Sequence, residues 1–481
     1  MRNKFGFLLV LVFLLSMHVT VWASPLVRIG IVNGKDSVII SGQRSFAVID
    51  ALDQTIAKGQ KNEKWNLEYR NGQIYLNDRL TKTPLVFRME PGDDNEYLMV
   101  DGRRYRGELE IRVSATKKGI TVIETLPMEE YIYGIIPWEI SPAWPVEAVK
   151  AQAIAARTYA LYYVGKHKKD GFDLCNTTDC QAYGGREAED PRGNWAVDAT
   201  QGMVVTYNNK LVPTYFHSSG GGYTENIENV WSAKIDYLRA VPDFDQGSPY
   251  FNWQTAYTSE EISDRLQSAG YDIGVFQGIK LSPLREGIND ATDRGVSGRV
   301  KTVTFIGNKQ NVTLSGNEVR QLFKLSSTLF DIRLPESIKE PINKETVNKE
   351  TTEKPKQENN KPLISKTPNF SSRIQDIVRE FERSTTTRKE IATSNKSNPK
   401  IAAANTRQKQ DPAKVSSSAE HVISPATAIS ITFVGHGSGH GLGLSQWGAK
   451  AMAEQGPKGD HTYYQQILKH YYQGIDITKW Y

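Results

Sequence analysis

Residues 336–428 restrict what the rest of the chain can build. The segment opens "KEPINKETVNKETTEKPKQENNKP", rich in Lys, Glu, Asn and Thr and nearly without aromatics. So little apolar surface cannot offset the conformational entropy of folding. The segment is expected to be disordered, with one short helix at "SRIQDIVREFER". Folded pattern resumes at "ISITFVGHG". Any core must therefore form from residues on both sides of it. Either it links two domains or it is an insertion into one.

The first residues, "MRNKFGFLLVLVFLLSMHVTVWAS", place Arg2 and Lys4 before an apolar run from Phe5 to Leu15. This length and order suit a secretory signal cut after Ala23, the alternative being an uncleaved membrane anchor. Export, or tethering outside the cytoplasm through that segment alone, is the expectation. Across 481 residues, 59 Lys and Arg face 54 Asp and Glu, a net charge of +5. That balance gives no nucleic-acid footprint.

Residues 24–103 read as a β-rich module. Asn71-Gly72 and Asp101-Gly102 sit between alternating runs and mark hairpin turns, and Asn208-Asn209 marks a third. From Gly119 helical pattern enters. "PMEEYIYGI" reads as a short helix, and Pro145 suits the first position of a long one. In that helix Val146, Val149, Ala153, Ala156 and Ala160 make one small apolar face. Thr258 with Glu261, and Ser315 with Glu318, carry capping-box spacing. The class expected is α+β.

Three constellations could carry chemistry. Glu139 lies in a loop between prolines beside Trp138 and Trp144. Tryptophan faces stack on sugar rings, and burial among them would raise a carboxyl toward a useful acid; a carboxylate favoured by the helix downstream would look the same. His436 and His440 have the four-residue spacing of helical zinc ligands, but Gly435, Gly437, Gly439 and Gly441 oppose a helix. A strand-to-helix turn is the better reading, with the helix starting near Ser445. Its glycines either admit a ligand to the backbone or serve the turn alone. His217, Ser218 and Ser219 in "HSSGGG" lack the G-x-S-x-G elbow of a serine hydrolase and read as another tight turn. Cys175 and Cys180 allow a disulfide, or half a metal site with His167 or Asp179 as further donors.

Four blocks in order, "PMEEYIYGIIPWEISPAWPVEAVKAQAIAARTYAL", "TTDCQAYGG", "YFHSSGGGYTEN" and "GHGSGHGLGLSQWGAKAMAEQG", closely resemble the SpoIID/LytB family of sporulation proteins and amidase enhancers. The resemblance implies a mixed catalytic domain over 104–335 and 429–481, interrupted by the 336–428 insertion. It implies peptidoglycan glycan strands as substrate, an amidase or other wall hydrolase as a further partner, and lytic transglycosylase activity with Glu139 as the acid. A wall-binding amidase activator is the alternative it implies. Lys150 and Arg157 would be supporting, substrate-binding residues, and His217, Ser218, Ser219, His436, His440, Ser445 and Gln446 would line the glycan cleft with Trp138. No cofactor is required by that chemistry. Family members with zinc carry a His where this chain has Asp179, so zinc or a disulfide at Cys175 and Cys180 stays open.

Overall fold

The computed structural model describes residues 24–92, 96–231, 233–285, 291–333, 420–422 and 430–481. The expected signal segment and, apart from Glu420–Val422, the expected disordered segment with its short helix lie outside the described residues. The chain divides into two compact units, one of residues 1–217 with 443–481, the other of 218–442. The sequence-based boundary at 103/104 falls inside the first. Strands and helices are both abundant, as an α+β class requires.

In the first unit, strand Leu26–Lys35 pairs antiparallel with Ile120–Pro127 along its whole length and parallel with Leu174–Cys175. Glu108–Val113, Leu85–Met89, Phe46–Ile49 and Thr55–Gly59 extend this sheet to seven strands. A second sheet of six strands centres on Ser37–Gly42 and Trp65–Arg70. Phe46 of one sheet meets Trp65 of the other edge-on at 5.6 Å, with Phe87 5.9 Å from Phe46. The three expected hairpins form: Arg70 pairs with Gln73, Val100 with Arg103 and Tyr207 with Lys210. Asn71, Gly72, Asp101, Gly102, Asn208 and Asn209 all take positive φ, which a two-residue turn of the right twist demands.

The helix Val146–Tyr163 begins one residue after Pro145. It does not present a single apolar face: from Glu147 to Thr158 every side chain is buried. Pro191–Asp198, Met203–Tyr207, Gln446–Gln455 and Tyr464–Tyr471 all pack on it. Small residues such as Ala151, Ala153, Ala155 and Ala156 allow that close enclosure. The C-terminal strand Asp476–Lys479 pairs with Met203–Tyr207, and Leu444–Ser445 lies parallel to Phe216–His217. The chain thus leaves the first unit and re-enters it on neighbouring strands.

The second unit has a three-stranded sheet, Asn252–Thr258, Ser430–His436 and Phe330–Arg333, and a four-stranded one that includes Glu420–Val422. Those three residues correct the expectation of disorder at their position. Phe305, Phe323, Phe330 and Phe433 form the centre of its core. Both capping boxes are present, at helices Ser259–Ser268 and Gly316–Leu322. Among the described residues no helix is long and apolar enough to cross a membrane.

Candidate active site

Glu139 ends the four-residue helix Ile136–Glu139, which Pro137 helps to start. The carboxyl is half-buried. Its Oε1 accepts a long hydrogen bond from the Ala182 N–H at 3.4 Å, and the Gln446 side chain also bonds it. Burial raises its pKa, while these two donors favour the charged form and hold the rise in check. No second carboxylate figures among these influences within the described residues of the first unit.

The tryptophans contribute less than their sequence positions imply. Trp138 is 64% exposed, so it does not enclose the acid. Trp144 packs edge-on against Trp447 at 4.7 Å, and the Lys450 ammonium lies 5.8 and 5.4 Å from their ring centres. The polar contacts to Glu139 come from the Ala182 backbone and from Gln446.

Arg157 and Lys150 are corrected. Arg157 is fully buried; its guanidinium holds both Glu129 carboxylate oxygens at 2.6–3.0 Å and donates to the Met203 and Val197 carbonyls. Lys150 is buried too, donating to Glu147 at 2.8 Å and to the His461 carbonyl at 2.9 Å, with Trp195 and Tyr464 rings beside it. Each cation ties the long helix to the segments around it, which leaves neither aimed at a ligand.

Ser445 caps helix Gln446–Gln455, its hydroxyl accepting the Gly448 N–H. This confirms the strand-to-helix turn and places Gln446 at the first helical position, against Glu139. His217 is buried and sits opposite Ser445 in the parallel pair. The first unit therefore brings together Glu139, Gln446 and Ala182, with Ser445 and His217 one step behind.

Ser218, Ser219, His436 and His440 belong to the second unit. Gly437, Gly439, Gly441 and Gly443 all take positive φ, so no helix carries the two histidines. His440 Nδ1 accepts the Leu442 N–H at 3.0 Å, and its ring lies 5.1 Å from Trp231. The His436 ring lies 5.6 Å from Phe251. The "HSSGGG" turn wraps two buried carboxylates: Ser219 Oγ, Gly221 and Gly222 donate to Asp245, and Gly220 donates to Asp243 at 3.0 Å. Ser219 is wholly buried, its hydroxyl committed to Asp245. Asp243, Asp245 and the fully buried Arg299, which donates to the Gly220 carbonyl at 2.7 Å, carried no sequence signal.

Cys175 and Cys180 are free thiols. One ligand atom each from His167, Cys175, Asp179 and Cys180 lies within 4.8 Å of the others. His167 Nε2 is 3.2 Å from Asp179 Oδ2, and Nδ1 is 2.9 Å from Asp170 Oδ2. Asp179 thus takes a full place in the cluster. The Asp179 contact pushes His167 up to about 10. A hydrogen bond from Cys180 and the His167 ring hold the Cys175 thiol well below its ordinary value. One nitrogen, two sulfurs and one oxygen, with a carboxylate behind the imidazole, fit a closed four-coordinate zinc site.

Ala182 lies in "TTDCQAYGG", and only its place in that block could have flagged it. Residues 116–207, which hold Glu139, the long helix and the cysteine loop, match a family model described as stage II sporulation protein. Residues 226–349 match one described as a domain of unknown function. The chain is 28% identical over 398 residues to an uncharacterized protein of Brachyspira hyodysenteriae, covering 82% of this chain and 77% of that one. It is 27% identical over 430 residues to the amidase enhancer of Bacillus subtilis, covering 86% of this chain but 50% of the enhancer. Stage II sporulation protein D of Bacillus subtilis is 28% identical over 227 residues, 44% of this chain and 61% of that protein. The chain thus spans half of the one and under two thirds of the other. The matched block carries the half-buried glutamate and its donor Ala182, and through it and these relatives the chain is similar to the SpoIID/LytB family.

Proposed function

We propose that this protein acts on the cell wall, outside the cytoplasm, as a lytic transglycosylase on peptidoglycan glycan strands. The observation that carries the reading is Glu139: a half-buried carboxyl of raised pKa, braced by an amide N–H and a side-chain amide rather than by a second carboxylate. Hydrolytic glycosidases flank the scissile bond with two carboxylates. A transglycosylase manages with one because the sugar supplies its own nucleophile.

Glu139 would give its proton to the glycosidic oxygen as the bond to C1 breaks. The muramic C6 hydroxyl then attacks C1, and its proton passes to the Glu139 carboxylate. The products are a 1,6-anhydromuramic end and a free sugar hydroxyl; no water is consumed. Ala182 and Gln446 would hold the carboxylate in place between the two proton transfers. His167, Cys175, Asp179 and Cys180 would hold a zinc ion, which with four protein donors supplies structure to the loop rather than chemistry to the substrate.

Product analysis tests the reading. The full chain and its Glu139→Gln variant are incubated with peptide-free glycan strands, and the ends are identified by mass spectrometry. Anhydromuramic ends from the wild type alone support it. Reducing ends would mean hydrolysis and a second carboxylate. The match to an amidase enhancer over 86% of this chain favours a second reading, a wall-binding amidase activator. A Glu139→Gln protein that still stimulates an amidase, with no cleavage by either form, would select it.

A further inference from the structure

Glu124 has no part in the chemistry above, yet it is a fully buried carboxyl in the middle of strand Ile120–Pro127. Its Oε2 accepts the Tyr183 hydroxyl at 2.8 Å, and its Oε1 accepts the Gly107 N–H at 3.0 Å. Tyr183 is itself buried, its ring 5.0 Å from that of Tyr131. The ring also lies on Gly134, where a Cβ would come within 2.4 Å of it. The Tyr183 N–H donates to the Asn176 carbonyl at 3.2 Å, and the next N–H, of Gly184, donates to Gly134 at 3.1 Å. The residue before Tyr183 is Ala182, whose N–H reaches Glu139. Two residues before Ala182, Cys180 Sγ accepts the Cys175 N–H at 3.4 Å. The short loop that carries the donor is therefore pinned on both sides.

We propose that Glu124 is a positioning residue for Glu139: through Tyr183 it fixes the loop at 180–184 so that the Ala182 N–H faces the acid. This rests on the reading of Glu139 as the acid, but the contact chain itself does not. A core strand gains nothing from a carboxyl where Leu would pack, unless its acceptors are used. Here they anchor one tyrosine hydroxyl and one backbone N–H that would otherwise be buried and unsatisfied. Burial pushes Glu124 up to about 7, with Gly107, Tyr183 and the Arg106 backbone favouring its charged form and Glu130 opposing it. It is thus retained as a hydrogen-bonding group at a real cost to its ionisation.

The test reads Glu139 directly. The full chain is labelled with 13C at the glutamate carboxyls and titrated by NMR; Glu139→Gln identifies the resonance. Tyr183→Phe removes one oxygen from the chain of contacts. Freed from Tyr183, the Ala182 N–H lets go of the carboxylate, and the Glu139 pKa rises by about half a unit or more. Glu124→Gln keeps an acceptor for Tyr183 and leaves that pKa near the wild-type value. An unchanged pKa in a folded Tyr183→Phe protein overturns the proposal. A lowered pKa in Glu124→Gln also overturns it, because that marks the loss of a charge felt through space rather than of position. A rise in Tyr183→Phe with no glycan cleavage by the wild type leaves the positioning intact and removes the enzymatic reading instead.

Discussion

Replacing Arg157 by Met separates a structural arginine from a substrate-binding one. Met keeps most of the aliphatic volume on the long helix but none of the charge. Arg157 is wholly buried and Glu129 almost so; among the described residues the variant leaves the carboxylate with the Gly202 N–H at 2.9 Å and the Tyr481 hydroxyl at 2.7 Å. It also strips donors from the Met203 and Val197 carbonyls. Breaking a buried pair from one side costs about 3–5 kcal/mol. For a unit of this size each kcal/mol moves the melting temperature by roughly 2–4 °C, so the transition of the first unit should fall by about 10 °C. Adding Glu129→Leu removes the stranded charge and should recover a large part of the loss, which calorimetry on the two variants would show. A fall of under about 2 °C, with glycan binding abolished, would refute the structural assignment and return Arg157 to the substrate.

Four further outcomes are expected. Gln446→Leu removes a group that favours charged Glu139, so the alkaline fall in cleavage rate, where the acid loses its proton, should move to higher pH; a fall at unchanged pH counts against the contact. Glu124 keeps its proton in the folded state from pH 4.5 up to about 7 while the unfolded chain has released it. The folded protein therefore loses stability as pH rises through that window, by about 3 kcal/mol in all; denaturant midpoints of Glu124→Gln should lack this decline. Protein purified without chelator should carry one zinc per chain by elemental analysis, and Asp179→Ala should lose it; zinc-free wild-type protein would leave the cluster a dithiol. Gly441→Ala should destabilise the second unit by about 1–3 kcal/mol, because its φ of +78° strains a side chain and its Cβ would lie 2.2 Å from Arg299 Nε. Limited proteolysis of 218–442 would register that change.

What could be read from the sequence was local. Asn71-Gly72 or Ser315 with Glu318 states its conformation within four residues, because φ and a cap are settled by near neighbours. The setting of Glu139 is local only in part: Pro137 helps to start its short helix, but Trp138 is exposed and Trp144 packs on Trp447. The actual partners of Glu139 are not local: Ala182 and Gln446 lie 43 and 307 residues away, and only the resemblance put them in view. The roles expected of Lys150 and Arg157 rest on the resemblance alone, and the groups that hold them, the His461 carbonyl and Glu129, lie elsewhere in the chain. The helix looked one-sided because half of its cover comes from residues 446–471, beyond the low-complexity segment. The chain leaves the first unit at His217, well before residue 336, and returns at Gly443. Since Phe216–His217 and Leu444–Ser445 are paired strands, the exit and return points are neighbours. Such an exchange point lets over two hundred residues intervene without displacing Gln446 from Glu139. This is why a site assembled from both ends of the chain tolerates so large a unit between them.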